Sequence, residues 1–229
     1  MGLFSSKVKL SSSGLFDGRT DWHCHILPGV DDGFGDMEDS LAALALMERA
    51  GYVSVWMTPH IMEDIPNSTA SLRERFSELE RSYAGGMKLR LASENMLDNL
   101  FLERLERGDL LPMDGNRLLV ETSYFSPPVD MDGILAAIKA KGYFPLLAHP
   151  ERYMYMDMKR YRQLKSDEVE FQLSIPALAG SYGPEVKLKA EKLLEAGMYE
   201  CSGTDLHRIS SFEHLLSAEL KKKYIRSIP

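Results

Sequence analysis

Short apolar segments alternate with amphipathic segments along most of this chain, and this alternation limits the possible folds more than any other feature. Seven segments have the length and residue types of β-strands. They lie at residues 19–23, 52–57, 88–92, 117–122, 143–148, 169–174 and 199–203. Strands that alternate with helices pair in parallel through βαβ connections. Seven such units in 229 residues predict an α/β fold close to a (β/α) barrel.

Segments between the strands carry helical signals. Apolar side chains recur at helical spacing in residues 36–50, 71–83, 130–141 and 184–196. The first of these ends before Gly51, as helices often do. Neither an internal repeat nor a linker divides the chain. We therefore expect a flexible N-terminal tail over residues 1–18 and a single barrel domain over residues 19–229.

Composition excludes several classes of function. The net charge is -7, so nucleic acid is not an expected partner. Apolar runs are too short to span a bilayer, and we expect no membrane insertion. Two cysteines cannot supply a disulfide framework, which favours a reducing, cytoplasmic location.

Polar side chains with the chemistry of metal ligands follow the predicted strands. The first strand runs into Asp21-Trp22-His23-Cys24-His25, where two imidazoles one residue apart point to the same side. Such a pair alone is equally well explained by packing beside a turn. However, the carboxyl ends of barrel strands gather at one face, and nine candidate ligands follow strands. They are His23, His25, Asp31 or Asp32, His60, Glu94, Glu121, His149, Asp205 and His207. This number exceeds the needs of one ion and predicts two or three divalent metal ions.

Taken together, the motifs DWHCH, DDG, TPH, LLVE, AHPERY and GTDLH resemble those of the polymerase and histidinol phosphatase (PHP) superfamily. Within that superfamily they are most similar to the bacterial protein-tyrosine phosphatases of capsule and exopolysaccharide operons. The resemblance implies a distorted (β/α)7 barrel with a trinuclear site. It also implies manganese as the usual metal, with iron, magnesium or zinc as alternatives.

The resemblance distributes the ligands among three ions. The ligands are His23, His25, Glu94 and Asp205 for one ion, Glu94, His149 and His60 or Glu121 for the second, and Asp32 and His207 for the third. The motifs specify which residues belong to the cluster better than they specify which ion each residue binds.

Substrate contacts are also implied by the resemblance. Arg152 matches the arginine that binds phosphate, and its planar fork suits a phosphoryl group. The alternative for Arg152 is a surface ion pair with Glu151. Either Asp205 or His207 could assist proton transfer, although metal ligation competes with that role. Aromatic candidates for packing against a tyrosine ring are Trp22, Phe34, Tyr124, Phe125, Tyr153 and Tyr155, of which we select Phe125 and Tyr153.

The implied function is metal-dependent hydrolysis of phosphotyrosine in proteins. A thiol mechanism needs Cys-x5-Arg, but Val30 follows Cys24 at that spacing and His207 follows Cys201. We therefore expect Cys24 to be a small buried hydrophobe.

Two alternatives remain open, namely another PHP phosphoesterase such as a histidinol-phosphate phosphatase and a non-catalytic phosphotyrosine-binding module. The implied partner is the phosphorylated tail of a membrane-associated bacterial tyrosine kinase that controls polysaccharide synthesis. The sequence leaves the oligomeric state open, a homo-oligomer included.

Overall fold

All seven predicted strands are present in the structure, a computed structural model that describes residues 6–229. The strands are β1 (Lys7–Lys9), β2 (Thr20–Cys24), β3 (Ser54–Met57), β4 (His60–Ile61), β5 (Lys88–Leu91), β6 (Glu94–Met96), β7 (Arg117–Glu121), β8 (Phe144–Ala148), β9 (Glu170–Ser174), β10 (Cys201–Gly203) and β11 (Glu219–Lys221). The helices are α1 (Met37–Ala50), α2 (Thr69–Ser82), α3 (Phe101–Arg107), α4 (Met131–Ala140), α5 (Met158–Ser166), α6 (Ile175–Ala179), α7 (Pro184–Glu195), α8 (Ile209–Ser217) and α9 (Lys222–Ser227).

All of these strands except β1 and β11 form a curled parallel sheet in two hydrogen-bonded sections. One section has the order β10-β9-β8-β7-β6-β4 and the other has the order β2-β3-β5. Chain continuity joins them, because β3 leads into β4 and β5 leads into β6 after short interruptions. At the other edge, the backbone N–H of His25 donates to the carbonyl of Leu206 at 2.9 Å. The fold is therefore a mixed α/β domain around a curled sheet.

Side chains from the two faces of the sheet enter different apolar clusters. In β7, Leu118 and Val120 belong to the large cluster that includes helix residues such as Ile138. Leu119 instead joins Leu146 and other strand residues in a smaller cluster. Successive strand residues point to opposite faces, so one cluster lies between sheet and helices and the other inside the curl.

Local signals determine where the helices begin and end. The side chain of Asp36 accepts a hydrogen bond from the backbone N–H of Asp39, which satisfies a free donor at the start of α1. Gly51 ends the same helix with a φ of 114°, a value that glycine adopts without a steric penalty.

The predicted flexible tail over residues 1–18 is corrected for residues 7–18. Strand β1 pairs with β11 in antiparallel register, with Val8 opposite Leu220. Leu10, Leu15 and Phe16 are buried in the large apolar cluster. Burial of these apolar side chains holds the segment against the domain. Residues 1–5 of the expected tail lie outside the described residues.

Among residues 6–229, none of the helices has both the length and the apolar character needed to cross a bilayer.

Candidate metal centre

The structure brings the nine predicted ligands together at the carboxyl ends of the strands. His60 and Glu94 follow β3 and β5 and are the first residues of β4 and β6, and the other seven lie at the end of β2, β7, β8 or β10 or in the connection that follows. Gly203 allows the backbone of β10 to approach His23 of β2 closely, since a Cβ atom at position 203 would lie 2.6 Å from the Cβ of His23. The connection after β10 can thus pack directly beside β2.

His23 and His25 present their Nε2 atoms to each other at 3.1 Å. The Nδ1 atom of His23 faces the side-chain oxygen of Gln172 at 3.0 Å, and the Nδ1 atom of His25 faces Asp31 at 2.8 Å. Because both partners accept hydrogen bonds, each Nδ1 carries the proton of the neutral ring. The two Nε2 lone pairs then point at each other, an arrangement that a cation stabilises.

Glu94 lies at the middle of the cluster and contacts four imidazoles. Its Oε2 atom is 3.1 Å from His23 Nε2, 3.3 Å from His25 Nε2 and 3.2 Å from His60 Nδ1. The Oε1 atom is 3.0 Å from His149 Nε2. One buried carboxylate is therefore in contact with four imidazoles from three different segments of the chain.

The outer part of the cluster combines residues from three segments. The Oδ1 atom of Asp32 is 3.6 Å from His60 Nε2 and 3.4 Å from His207 Nε2. On its other side, the Nδ1 atom of His60 is 3.0 Å from Glu121 Oε1. His60 thus joins the exposed carboxylate of Asp32 to the buried carboxylate of Glu121.

The donor set fits metal ions. Three groups of residues each offer donor atoms that lie within 4.8 Å of one another, namely His25, Asp32, His60 and His207, then His23, His25 and Glu94, then His60, Glu94 and Glu121. With metal–ligand bonds of about 2.1 Å, donors around one ion are separated by about 3.0 to 3.4 Å. Among the described residues, the buried His60 Nδ1 and Glu121 Oε1 atoms face each other at 3.0 Å without hydrogen-bond geometry, and the buried Nδ1 atom of His149 has no hydrogen-bond partner. Buried polar atoms of this kind usually have a partner, which an ion supplies.

Attraction between the imidazoles and the carboxylates shifts the pKa values of both kinds of group in the cluster. Burial alone would lower the pKa of His23, but the attraction of Glu94 and Asp205 raises it to about 9. Burial likewise opposes ionisation of Glu94, yet the neighbouring imidazoles hold its pKa well below the usual range. The carboxylates therefore remain ionised, as metal ligands must be.

Asp205 connects the cluster to Arg152. Its Oδ1 atom is 3.4 Å from the Nε2 atoms of both His23 and His25. Its Oδ2 atom accepts a hydrogen bond from Arg152 Nη1 at 2.7 Å. Arg152 is thus paired with Asp205, and the alternative ion pair with Glu151 does not form. Glu151 is buried and instead accepts hydrogen bonds from the Ser174 backbone and the Tyr199 hydroxyl.

Two residues of the cluster have backbone conformations that residues other than glycine rarely adopt. His149 has a φ of 33° and Asp205 a φ of 52°, both in the left-handed region. Such conformations cost free energy and are concentrated at functional sites.

The centre opens into a cavity of about 680 Å³. Its walls include His60, Glu94, Tyr124, Arg152 and Tyr182. A cavity of this size admits a side chain that carries a phosphoryl group. Phe125 is exposed and is not part of this wall, and its predicted substrate contact stays a prediction.

The predicted substrate contact of Tyr153 is wrong. Tyr153 is fully buried, and its hydroxyl donates to the carbonyl of Ala148 and accepts from the backbone N–H of Thr122. With its hydrogen bonds satisfied and its ring in the core, Tyr153 supports the end of β8 rather than facing substrate. The neighbouring Tyr124, one of the other aromatic candidates, lines the cavity.

Sequence reasoning missed the roles of Asp31, Gln172 and Tyr182. Asp31 precedes a predicted ligand in the DDG motif, and this adjacency was the available signal. Gln172 lies inside β9, where nothing in the local sequence distinguishes it. The prediction for Cys24 is confirmed, since this residue is buried and burial raises the pKa of its thiol.

Comparisons with known proteins agree with this geometry. Residues 19–224 match the model of a family described as capsular polysaccharide synthesis, CpsB/CapC. The tyrosine-protein phosphatase YwqE of Bacillus subtilis (strain 168) is 28% identical over 206 residues, covering 83% of this chain and 78% of YwqE.

Solved structures add the fold. One structure, from work on YwqE of Bacillus subtilis and CpsB of Streptococcus pneumoniae, described as metal-dependent tyrosine phosphatases, has a TM-score of 0.78 and 25% identity over 90% of this chain and 84% of that chain. The phosphotriesterase homology protein of Escherichia coli has a TM-score of 0.53 and 11% identity over 85% of this chain and 84% of that chain, a likeness of fold alone.

Proposed function

This chain belongs to the CpsB/CapC family of capsular polysaccharide synthesis, and from that premise we propose that it is a metal-dependent phosphatase that hydrolyses phosphotyrosine in proteins. The observation that carries the proposal is the cluster of five imidazoles and four carboxylates beside Arg152, at the base of an open cavity. Cations and a guanidinium group are the partners that a phosphoryl group requires.

We propose that the nine clustered residues hold two or three divalent metal ions, with manganese first and iron, magnesium or zinc as alternatives. Nitrogen and carboxylate donors together suit ions of this class. Bound ions supply charge neutralisation for the phosphoryl oxygens and lower the pKa of water in the site. Gln172 and Asp31 hold the two histidines of β2 in the tautomer that leaves Nε2 free for a metal.

Arg152 is the residue proposed to bind the phosphoryl group. Asp205 occupies Nη1, which leaves the other N–H groups of the guanidinium to donate to phosphoryl oxygens. Their positive charge offsets the negative charge of the transferring group. The phenolate of tyrosine has a conjugate-acid pKa of about 10, so its departure makes only a modest demand on a general acid. Asp205 and His207, both in the cavity wall, are the alternative candidates for proton transfer, a role with which metal ligation competes.

We infer that the curled sheet is a distorted (β/α)7 barrel. The backbone N–H groups of Asp205 and His25 donate to the carbonyls of His23 and Leu206, which supports contact between the first and the last of the seven strand positions. Closure places every strand end at one rim, as the cluster requires.

The proposed substrate is the phosphorylated tail of a membrane-associated bacterial tyrosine kinase that controls capsule or exopolysaccharide synthesis. The family description and the open cavity support a polypeptide substrate of this kind. A cytoplasmic location is consistent with two unpaired, buried cysteines.

The proposed function is tested by phosphate release from a phosphotyrosyl peptide and from histidinol phosphate, with manganese or with a chelator. We expect manganese-dependent release from the peptide and a wide kinetic preference for it. Glu94→Gln should lower kcat/KM at least about a hundredfold, because it removes the charge shared by four imidazoles. Glu106→Gln, an exposed change on α3, is the matched control.

Preference for histidinol phosphate would indicate another phosphoesterase of the same fold. Tight binding of the phosphopeptide without phosphate release would indicate a binding module. Full activity of Glu94→Gln in a chelator would refute the metal-dependent mechanism.

A further inference from the structure

The guanidinium of Arg152 lies between two tyrosine rings. Its Cζ atom is 4.3 Å from the ring centroid of Tyr124 and 4.3 Å from that of Tyr182. Asp205 contacts one edge of the same group. Two aromatic rings and one carboxylate therefore contact the guanidinium.

The two rings are held in different ways. Tyr124 follows β7, stacks on Tyr153 with centroids 6.3 Å apart and lies 5.8 Å from the ring of His149. Tyr182 lies in the turn between α6 and α7 and is 37% exposed. Tyr124 is thus part of the packed wall, whereas Tyr182 contacts Arg152 from a partly exposed turn.

The contacts with both tyrosine rings and with Asp205 restrict the orientation of the guanidinium plane. Guanidinium groups stack on aromatic faces and donate hydrogen bonds only in their own plane. The guanidinium is charged at all ordinary pH values, and Arg152 and both tyrosines line the same cavity.

We propose that Tyr182 is a positioning residue for Arg152. Its ring, opposite Tyr124, fixes the guanidinium plane so that the N–H groups not used by Asp205 are presented to an oxyanion in the cavity. This inference rests on the proposed function for its kinetic test but not for its spectroscopic test.

The kinetic test compares Tyr182→Leu with Tyr182→Phe, which keeps the aromatic face. In Tyr182→Leu we expect KM for a phosphotyrosyl peptide and the inhibition constant of inorganic phosphate to rise about tenfold, with a smaller change in kcat. Tyr182→Phe should stay within about twofold of the unmodified protein, because the phenyl face still covers the guanidinium. Tyr143→Leu, half-buried just before the amino end of β8 and so at the end of that strand opposite His149, is the matched control.

A double substitution separates positioning from direct substrate contact. In an Arg152→Ala background, Tyr182→Leu should produce no further loss, because the ring acts through the missing arginine. An additive loss would overturn the proposal and assign the ring to substrate contact or to general stability.

The spectroscopic test follows the Arg152 Nε–Hε signal by NMR in protein loaded with zinc, which is diamagnetic. Ring currents from two stacked tyrosines should shift this proton upfield in the unmodified protein and in Tyr182→Phe, and the shift should decrease in Tyr182→Leu. An unchanged signal in Tyr182→Leu would overturn the proposal. This result is independent of catalysis, so an inactive protein would refute the proposed function alone.

Discussion

Single residues outside the ligand set control how the ligands point. Asp31 contacts His25 Nδ1 and also accepts a hydrogen bond from the backbone N–H of His60 at 3.1 Å. Its side chain is buried within the connection after β2. One carboxylate therefore fixes the ring of His25, just after β2, and the backbone of β4 at the same time.

Asp31→Asn should weaken metal binding by about ten- to a hundredfold, because an amide replaces one oxygen that orients His25. Titration calorimetry of the metal-free protein with manganese measures the effect. Asp64→Asn, an exposed change in the connection after β4, is the control. Equal affinities in the two variants would remove Asp31 from the orienting role.

At this scale the sequence predicted much of the candidate centre. Strand ends meet at one face, so residues as distant in sequence as His23 and Asp205 could be predicted to lie together. Their role as ligands stays a proposal. Gln172 and Tyr182 could not be predicted, because their partners come from other strands and turns whose exact packing is not encoded in local pattern.

Elements were predictable where the pattern is strong and local. Helix α1 has an acidic N-cap, an apolar face and a terminal glycine, and the structure confirms it. Strands β1 and β11 have three residues each and, within residues 6–229, pair only with each other. Each is too short to show a period, and each depends on a partner at the far end of the chain.

Gly51→Ala should lower the free energy of unfolding by about 2 kcal/mol or more, since it combines a left-handed φ with a clash. A Cβ atom at this position would lie 2.4 Å from Asp17 Oδ1 and 3.0 Å from its Cα atom. Gly197→Ala is the matched control, because it also has a positive φ but nothing within 4 Å. Denaturant unfolding of both variants gives the difference, and equal losses would exclude a role for the contact with Asp17.

The whole molecule concentrates charge at one rim of its sheet. The nine clustered residues come from six strand positions, so ions bound among them would tie distant segments together. A ligand that binds only the folded state stabilises it by mass action. Metal loading should therefore be visible in global unfolding.

Manganese at about a hundred times its dissociation constant should stabilise the protein by about 2.7 kcal/mol, which corresponds to a rise in Tm of about 5 to 10 °C. Differential scanning calorimetry with manganese and with a chelator measures the shift. Glu94→Gln should lose most of it, whereas Glu106→Gln should retain it. A rise of the same size in Glu94→Gln would place the bound metal elsewhere.

The fold class was predictable at this scale because alternation of strands and helices permits few topologies. The boundary of the N-terminal segment could not be predicted from the sequence. Leu10, Leu15 and Phe16 follow neither helical nor strand periodicity, and tertiary packing buries them.

Asp205 has a consequence for binding thermodynamics. Its two oxygens serve different partners, one the imidazoles of His23 and His25 and the other the guanidinium of Arg152. A cation that binds Asp205 changes the strength of the hydrogen bond between Asp205 and Arg152. An oxyanion that binds Arg152 likewise changes the affinity of Asp205 for the cation. Linkage makes such an effect reciprocal: the factor by which metal changes phosphate affinity equals the factor by which phosphate changes metal affinity. Product concentration would then influence metal retention.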